Sequence, residues 1–261
     1  VAKFLQLFGA YFKANMAIAL EYRASFISQV FGMFINDMIW VAFWVLYFTR
    51  FPVLKGWTLD DVIVLWASLA FSFGLVSGIL GNARRIPQMV VTGQLDYYLA
   101  LPKNVLWHLL IAQIRPIALG DAIFGPVLLV VMVELTWAKV AVFLATALVA
   151  SCVWLGIMLI GGSLAFYMGN AEVVNNQIFN GVIHFSSYPI TIFDGSVKVL
   201  LYTLLPAGFI TGLPVELMRQ WSWLRFGQQA LAGAFFLGLG ILLFNGGLRR
   251  YESGNLMMMR S

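Results

Sequence analysis

The chain has 261 residues, 61% of them hydrophobic and only 10% charged, with a net charge of +5. A soluble domain carries about 25% charged residues, so this composition excludes an ordinary soluble globular protein. The excess apolar surface must face lipid, and a backbone in lipid is satisfied only within helices or a closed barrel.

The apolar runs are continuous over about twenty residues, which is helix length; barrel strands alternate over about ten. The expected fold class is an all-α membrane protein, with a single transmembrane domain over 1–261. It begins with an interfacial helix over 3–23. There Lys3, Gln6, Lys13 and Glu21 recur on one side, and Phe4, Leu5, Phe8, Phe12 and Met16 mark the other, the pattern of an amphipathic helix lying in the membrane surface. The competing reading is an extension of the first span. Six spans follow, over 26–48, 62–80, 109–133, 140–168, 173–193 and 226–248. The longest polar stretch, 81–108, joins the second span to the third. Residues 197–219 are interrupted by Pro206, Gly208, Gly212 and Pro214. They read as two short helices that dip in and return, which is tolerated only under cover of protein or a cavity. The tail, 249–261, is polar and then Met-rich. The first strongly apolar run, near residue 26, is too long for the core of a signal peptide, so no cleavable targeting segment is expected.

Positive charge sets the expected orientation. With the N-terminus inside, the cytoplasmic side holds Lys3, Lys13, Arg23, Arg84, Arg85, Lys103, Arg249, Arg250 and Arg260. The outside holds Arg50, Lys55, Lys139, Lys198, Arg219 and Arg225. The bias favours a multi-pass protein of the cell's inner (plasma) membrane with both termini cytoplasmic. The bases lie beside apolar runs, so their partner is the lipid bilayer and not nucleic acid.

Enzyme chemistry has little support. No GxxxxGK[ST], HExxH, CxxC or GxSxG pattern is present, so no nucleotide loop, zinc helix or nucleophile elbow is indicated. The one cysteine, Cys152, precludes an intrachain disulfide, and no metal site is expected. If ATP drives this protein, another chain hydrolyses it.

The segment 81–108 is the most informative. Pro87, Gly93 and Pro102 punctuate it and leave room for two short helices. Arg84 and Arg85 form a positive pair at the inner end of the second span. An ordinary loop with arginines reaching to headgroups is the bland alternative. The run Gly93-Gln94-Leu95-Asp96, with Leu99 and Pro102, resembles the GxLDxxLxxP signature of permeases of ATP-binding-cassette (ABC) transporters, the type-2 exporter class. Ser187-Tyr188-Pro189 stands where that branch shows the same tripeptide. Leu205-Pro206 and Gly212-Leu213-Pro214 are similar to its proline-bearing short helices. Gln94 departs from the glutamate common in the family.

The resemblance implies a permease subunit working with two ABC ATPase subunits and a second permease, identical or homologous. This chain would hold no cofactor; ATP and Mg would sit in the ATPase. The loop after the second span would be the coupling element, with Arg84, Arg85, Gly93, Gln94, Leu95, Asp96, Tyr97, Leu99 and Pro102 as its candidates. Pro189, Pro206 and Pro214 would belong to an outer gate. Transport would proceed by alternating access between the permeases.

Polar residues within spans are the remaining candidates. Asp37, beside Asn36, lies near the middle of the first span, and Asp121 near the middle of the third. A charge at mid-bilayer costs about 3 kcal/mol, so such residues face protein or water. Asn176, Asn180 and His184 are spaced four apart and form one stripe. It could line a pathway or bond another span. Gly74 and Gly78 suit close helix packing within one subunit. Two other readings remain: an ion-gradient-driven transporter using Asp37 and Asp121, and a non-transporting membrane scaffold.

Overall fold

A computed structural model describes residues 2–251. The Met-rich tail, Arg260 and the Lys3 side chain lie outside what is described. The described chain is all-helical, without strands. Its helices are α1 (Ala2–Glu21), α2 (Arg23–Arg50), α3 (Leu59–Ile79), α4 (Ile86–Val91), α5 (Leu95–Leu99), α6 (Val105–Ala112), α7 (Leu119–Met132), α8 (Trp137–Ser163), α9 (Ala165–Met168), α10 (Glu172–Ser186), α11 (Gly195–Thr203), α12 (Leu213–Arg219) and α13 (Trp223–Leu248). Four stretches are long and apolar enough to cross a membrane: α2, α3, Trp137–Met168 and α13. Two further pairs, α6 with Pro116–Met132 and α11 with Gly208–Arg219, are each bent by 79°.

Three expectations need correction. The third span is not one helix over 109–133. Helix α6 ends at Ala112, Gln113 is extended (φ −127°, ψ 111°) and helix resumes at Pro116. Proline disfavours helical backbone at the residue before it and removes a donor. The extended stretch is held by the Arg115 N–H, which donates to the Gly78 carbonyl at 2.9 Å. The fifth span does not run as a helix over 173–193. Helix α10 has 15 residues, about 22 Å at 1.5 Å per residue, against a hydrocarbon core of about 30 Å. Pro189 keeps Tyr188 out of helix, and the chain turns through Ile190–Ile192. Finally, Pro214 breaks nothing. A π-helical turn, Gly208–Gly212, runs directly into α12, and Pro214 sits in the first turn of α12, where a missing N–H is tolerated. The interruption lies earlier, around Pro206.

Helix α3 is the centre of the molecule, packed against α7 and α8, with α13 on the far side of α8. Lipid supplies little hydrophobic drive between helices, so close backbone approach does the work. A Cβ on Gly74 would lie 2.2 Å from the Ala122 nitrogen of α7, and one on Gly125 2.4 Å from the Ala67 carbonyl of α3. Gly156 of α8 meets the Phe236 backbone of α13 in the same way, at 2.4 Å. Helix α2 differs. Only Val41, Trp44 and Phe48 of its 28 residues are buried. Helix α1 is tied to α6 by the Tyr11 hydroxyl on His108 Nε2 at 2.7 Å and by Asn15 Nδ2 donating to the Ala112 carbonyl at 3.3 Å. Phe4, Leu5 and Phe12 stay exposed.

This packing makes a paired prediction. Gly74→Val drives side-chain atoms into the α7 backbone and destabilises by about 1–3 kcal/mol or more. Gly238→Val, which meets nothing within 4 Å, leaves the melting temperature in detergent near the parent value. Equal melting temperatures for the two variants would contradict the α3–α7 contact.

Candidate functional site

After α3 the chain turns through Gly81–Arg85 into α4. Gly93 then separates α4 from α5 at φ +74°, a left-handed conformation that glycine adopts freely. The signature residues divide between two environments. Leu95 and Tyr98 are anchored inside, whereas Gln94, Tyr97, Leu99 and Pro102 are exposed. Asp96 sits against the Tyr251 hydroxyl just beyond α13. Burial, and then that carboxylate, hold the Tyr251 phenol above the usual tyrosine range.

The two arginines of the same loop turn elsewhere. Arg84 Nη2 donates to Asn176 Oδ1 of α10 at 3.4 Å, and its guanidinium stands 3.7 Å over the Phe179 ring. Arg85 donates to Gln113 Oε1. With Arg115, Gln88 and Glu172 they line a cavity of about 470 Å³. Burial, then the neighbouring Arg115, lower the Arg84 pKa from that of free arginine. A guanidinium nevertheless stays charged in proteins, so this cavity is strongly positive.

Helix α10 leads away from it. Asn176 is half-buried, and Asn180 and His184, one and two turns on, are exposed. Asn175 is packing material, with its Oδ1 close against Gly161 of α8. Three residues past His184, Ser187 lines a second cavity of about 170 Å³. Its other walls include Asn36, Asp37 and Trp40 of α2, Trp66 and Phe73 of α3, and Asp121 of α7. Asp37 and Asp121 thus face each other across this cavity, close enough for their carboxyl groups to interact. Asn36 Nδ2 donates to Asp37 Oδ1 at 3.4 Å. Asp121 is 4% exposed. It stands in the first turn of α7, because the break before Pro116 starts a new helix there. A helix N-terminus favours an acid. The sequence singles out both acids but does not pair them.

Residues 24–254 match the family described as ABC-2 family transporter protein. The chain belongs to that family. No curated protein and no solved structure matches it. It is thus a multi-pass membrane permease of an ABC transporter, a class that generally lacks the nucleotide-binding motif and associates with ABC ATPase partners.

At the opposite end of α3 the permease has a contact that the sequence reading misses. The Thr58 N–H and hydroxyl both donate to Asp61 Oδ2 at 2.7 Å. Arg219, at the end of α12, closes on the same carboxylate, Nε to Oδ1 and Nη2 to Oδ2, each at 2.6 Å. Its Nη2 also reaches the Gly56 carbonyl at 2.8 Å, and the guanidinium faces the Trp57 ring. Bidentate charge-assisted pairs of this kind are among the strongest protein hydrogen bonds. Thr58-x-x-Asp61 is legible as a helix-start signal. Arg219, 158 residues away, is not. The prolines expected at an outer gate fall on α12 and the segments leading to it: Pro214 in its first turn, Pro206 at the bend before it, and Pro189 before Ile190, which packs on Gly212. Lys55 and Asp194 pair nearby at 2.7 Å, both exposed.

Arg219→Met leaves the buried Asp61 carboxylate without its main donor and is expected to cost about 2–3 kcal/mol. Arg219→Lys recovers only part of that, because an ammonium lacks the planar fork. Asp194→Asn leaves stability unchanged, as an exposed pair should. Thermal unfolding of the three variants checks this, and equal effects at Arg219 and Asp194 would contradict it.

Proposed function

We propose that this chain is the transmembrane permease subunit of an ATP-driven exporter. Two such permeases, identical or homologous, flank the pathway, and two ABC ATPase subunits hold the ATP and Mg. The six crossings are α2, α3, the bent α6–α7 pair, α8 with α9, α10 completed by Ile190–Ile192, and α13. Helix α11 and Gly208–Arg219 dip in from the outer face and return. The bias of Lys and Arg supports an inner (plasma) membrane protein with cytoplasmic termini.

The observation that carries the reading is the bond from Arg84 to Asn176. A residue of the loop after α3 thereby grips the helix that bears the polar stripe. The same loop presents Gln94, Tyr97, Leu99 and Pro102 outward, where an ATPase groove can take them. Motion imposed on α5 passes through Arg84 to α10, and through Arg85 to Gln113 at the bend between α6 and α7, the kind of rigid-element shift that drives alternating access. Asn36, Asp37, Asn176, Asn180 and His184 line the pathway, and the Arg219–Asp61 pair latches the outer gate at Pro189, Pro206 and Pro214. The exposure of Asn180 and His184 supports a second permease, because hydrocarbon cannot satisfy them. The Asp37–Asp121 contact favours a second reading, an ion-gradient-driven transporter. That reading requires substrate movement in liposomes under a pH gradient without ATP.

Tyr97→Glu combined with Leu99→Glu is expected to abolish co-purification of the ATPase with tagged permease. The melting temperature should hold, since both side chains are exposed. Leu95→Ala acts differently, emptying a buried position at a cost of about 2–5 kcal/mol. A double variant that still recovers stoichiometric, coupled ATPase activity would contradict the role given to this loop.

A further inference from the structure

We propose that the cavity between Asp37 and Asp121 binds the ammonium head group of an organic cation, which assigns the permease's cargo to amphipathic cations. The inference rests on the permease reading above. Its first support is an unfilled acceptor. Asp121 is 4% exposed, and its Oδ2 has no hydrogen-bond partner. A buried acceptor left unsatisfied is costly, so a donor from outside the chain belongs there. Asp37 and Asp121 both line this cavity, so two carboxyl groups face one space. Among the described residues, no lysine or arginine lines the cavity to neutralise them.

The walls select the kind of cation. Trp40 and Trp66 stack with ring centroids 5.5 Å apart, Tyr188 stands edge-on to Trp40, and Phe73 lies on the same cavity. Aromatic faces attract organic cations. A hard metal ion fits poorly, because Ca²⁺ takes six to eight oxygen ligands and Mg²⁺ demands an octahedron. Among the described residues, Asp37, Asp121, Asn36 and Ser187 are the only lining residues with side-chain oxygens. The volume of about 170 Å³ holds about six waters at ~30 Å³ each. That suits a protonated amine head, whose N–H groups can donate to Asp121, but not a whole drug-sized molecule. The apolar remainder runs along the exposed flank of α2, where Asn36 marks the opening. Entry from this flank also avoids the arginine-lined cavity, which repels a cation.

The test uses the full chain, extracted with its partners into lipid nanodiscs and titrated calorimetrically with benzylammonium. Its uncharged isostere, ethylbenzene, is the reference. Saturable binding of the cation and none of the isostere is expected. Asp37→Asn and Asp121→Asn, which keep shape and remove charge, each weaken binding at least about tenfold. Trp40→Leu weakens it about two- to thirtyfold. Two separate acids keep the test usable if one variant fails to fold. Lack of saturable cation binding, equal binding of the isostere, or unaltered affinity in a folded Asn variant overturns the assignment. ATPase recovery is scored on the same preparation. An ATPase that stays while the cation does not bind sinks this site and leaves the permease reading; cation binding with no ATPase recovered supports the site and counts against that reading.

Discussion

Hydrocarbon offers no hydrogen bonds, and every polar group placed in it must find a partner in protein or water. The rest of this molecule follows from that constraint. It forces the chain into helices, and it makes the polar residues left in those helices informative. Most are accounted for within the chain. Gln229, fully buried, donates to the carbonyls of Thr146 and Phe209 and ties α13 to α8 and to the π-helical turn. Asn82 donates to the Leu109 carbonyl at 2.8 Å and holds the start of the loop. Asn36, Asn180 and His184 are exposed on the single chain. The proposed aqueous pathway and second permease would give them cover on that face.

Helix α3 links the two ends of the account. One end carries Asp61, clamped by Arg219 of α12. The other runs into the turn that bears Arg84 and Arg85. Glycines at 74 and 78 let α7 lie directly on α3, so α3 and α7 move as one body, and Asp121 moves with them. Helix α2 supplies Asp37 and is barely buried. The acid pair therefore sits on the seam between a rigid core and a loosely attached helix. A seam of that kind is where a conformational change can open and close a site.

The sequence shows much of the scaffold and little of the site. Apolar runs locate α2, α3, α8 and α13, because hydropathy is a local property. Pro87, Gly93 and Pro102 bracket α4 and α5 in the loop, because backbone restriction is local too. The third span misleads because the apolar run continues across Pro116; hydropathy records composition and not direction. The fifth span misleads in the same way, since its apolar residues continue past Pro189 although α10 has already ended at Ser186. The pairings that define the site join distant positions. Arg84 meets Asn176 across 92 residues, and Arg219 meets Asp61 across 158. Asp37 and Asp121 are each conspicuous as acids in apolar helices, but their contact is set by how α2 and α7 pack. Short-range patterns carry no such information.

The central claim is that the α10 stripe lines a water-filled pathway moved by the ATPase. Cysteines placed at Asn180 and His184, in a background where the single native Cys152 is serine, test it most directly. Labelling is measured with a membrane-impermeant thiol reagent on the complex in membranes, with and without a non-hydrolysable ATP analogue. A cysteine at Val127, exposed on α7, serves as the lipid-facing reference. The account predicts that both stripe positions react faster than Val127 and that the analogue changes their rates severalfold. Rates equal to that at Val127, or indifferent to nucleotide, would contradict it.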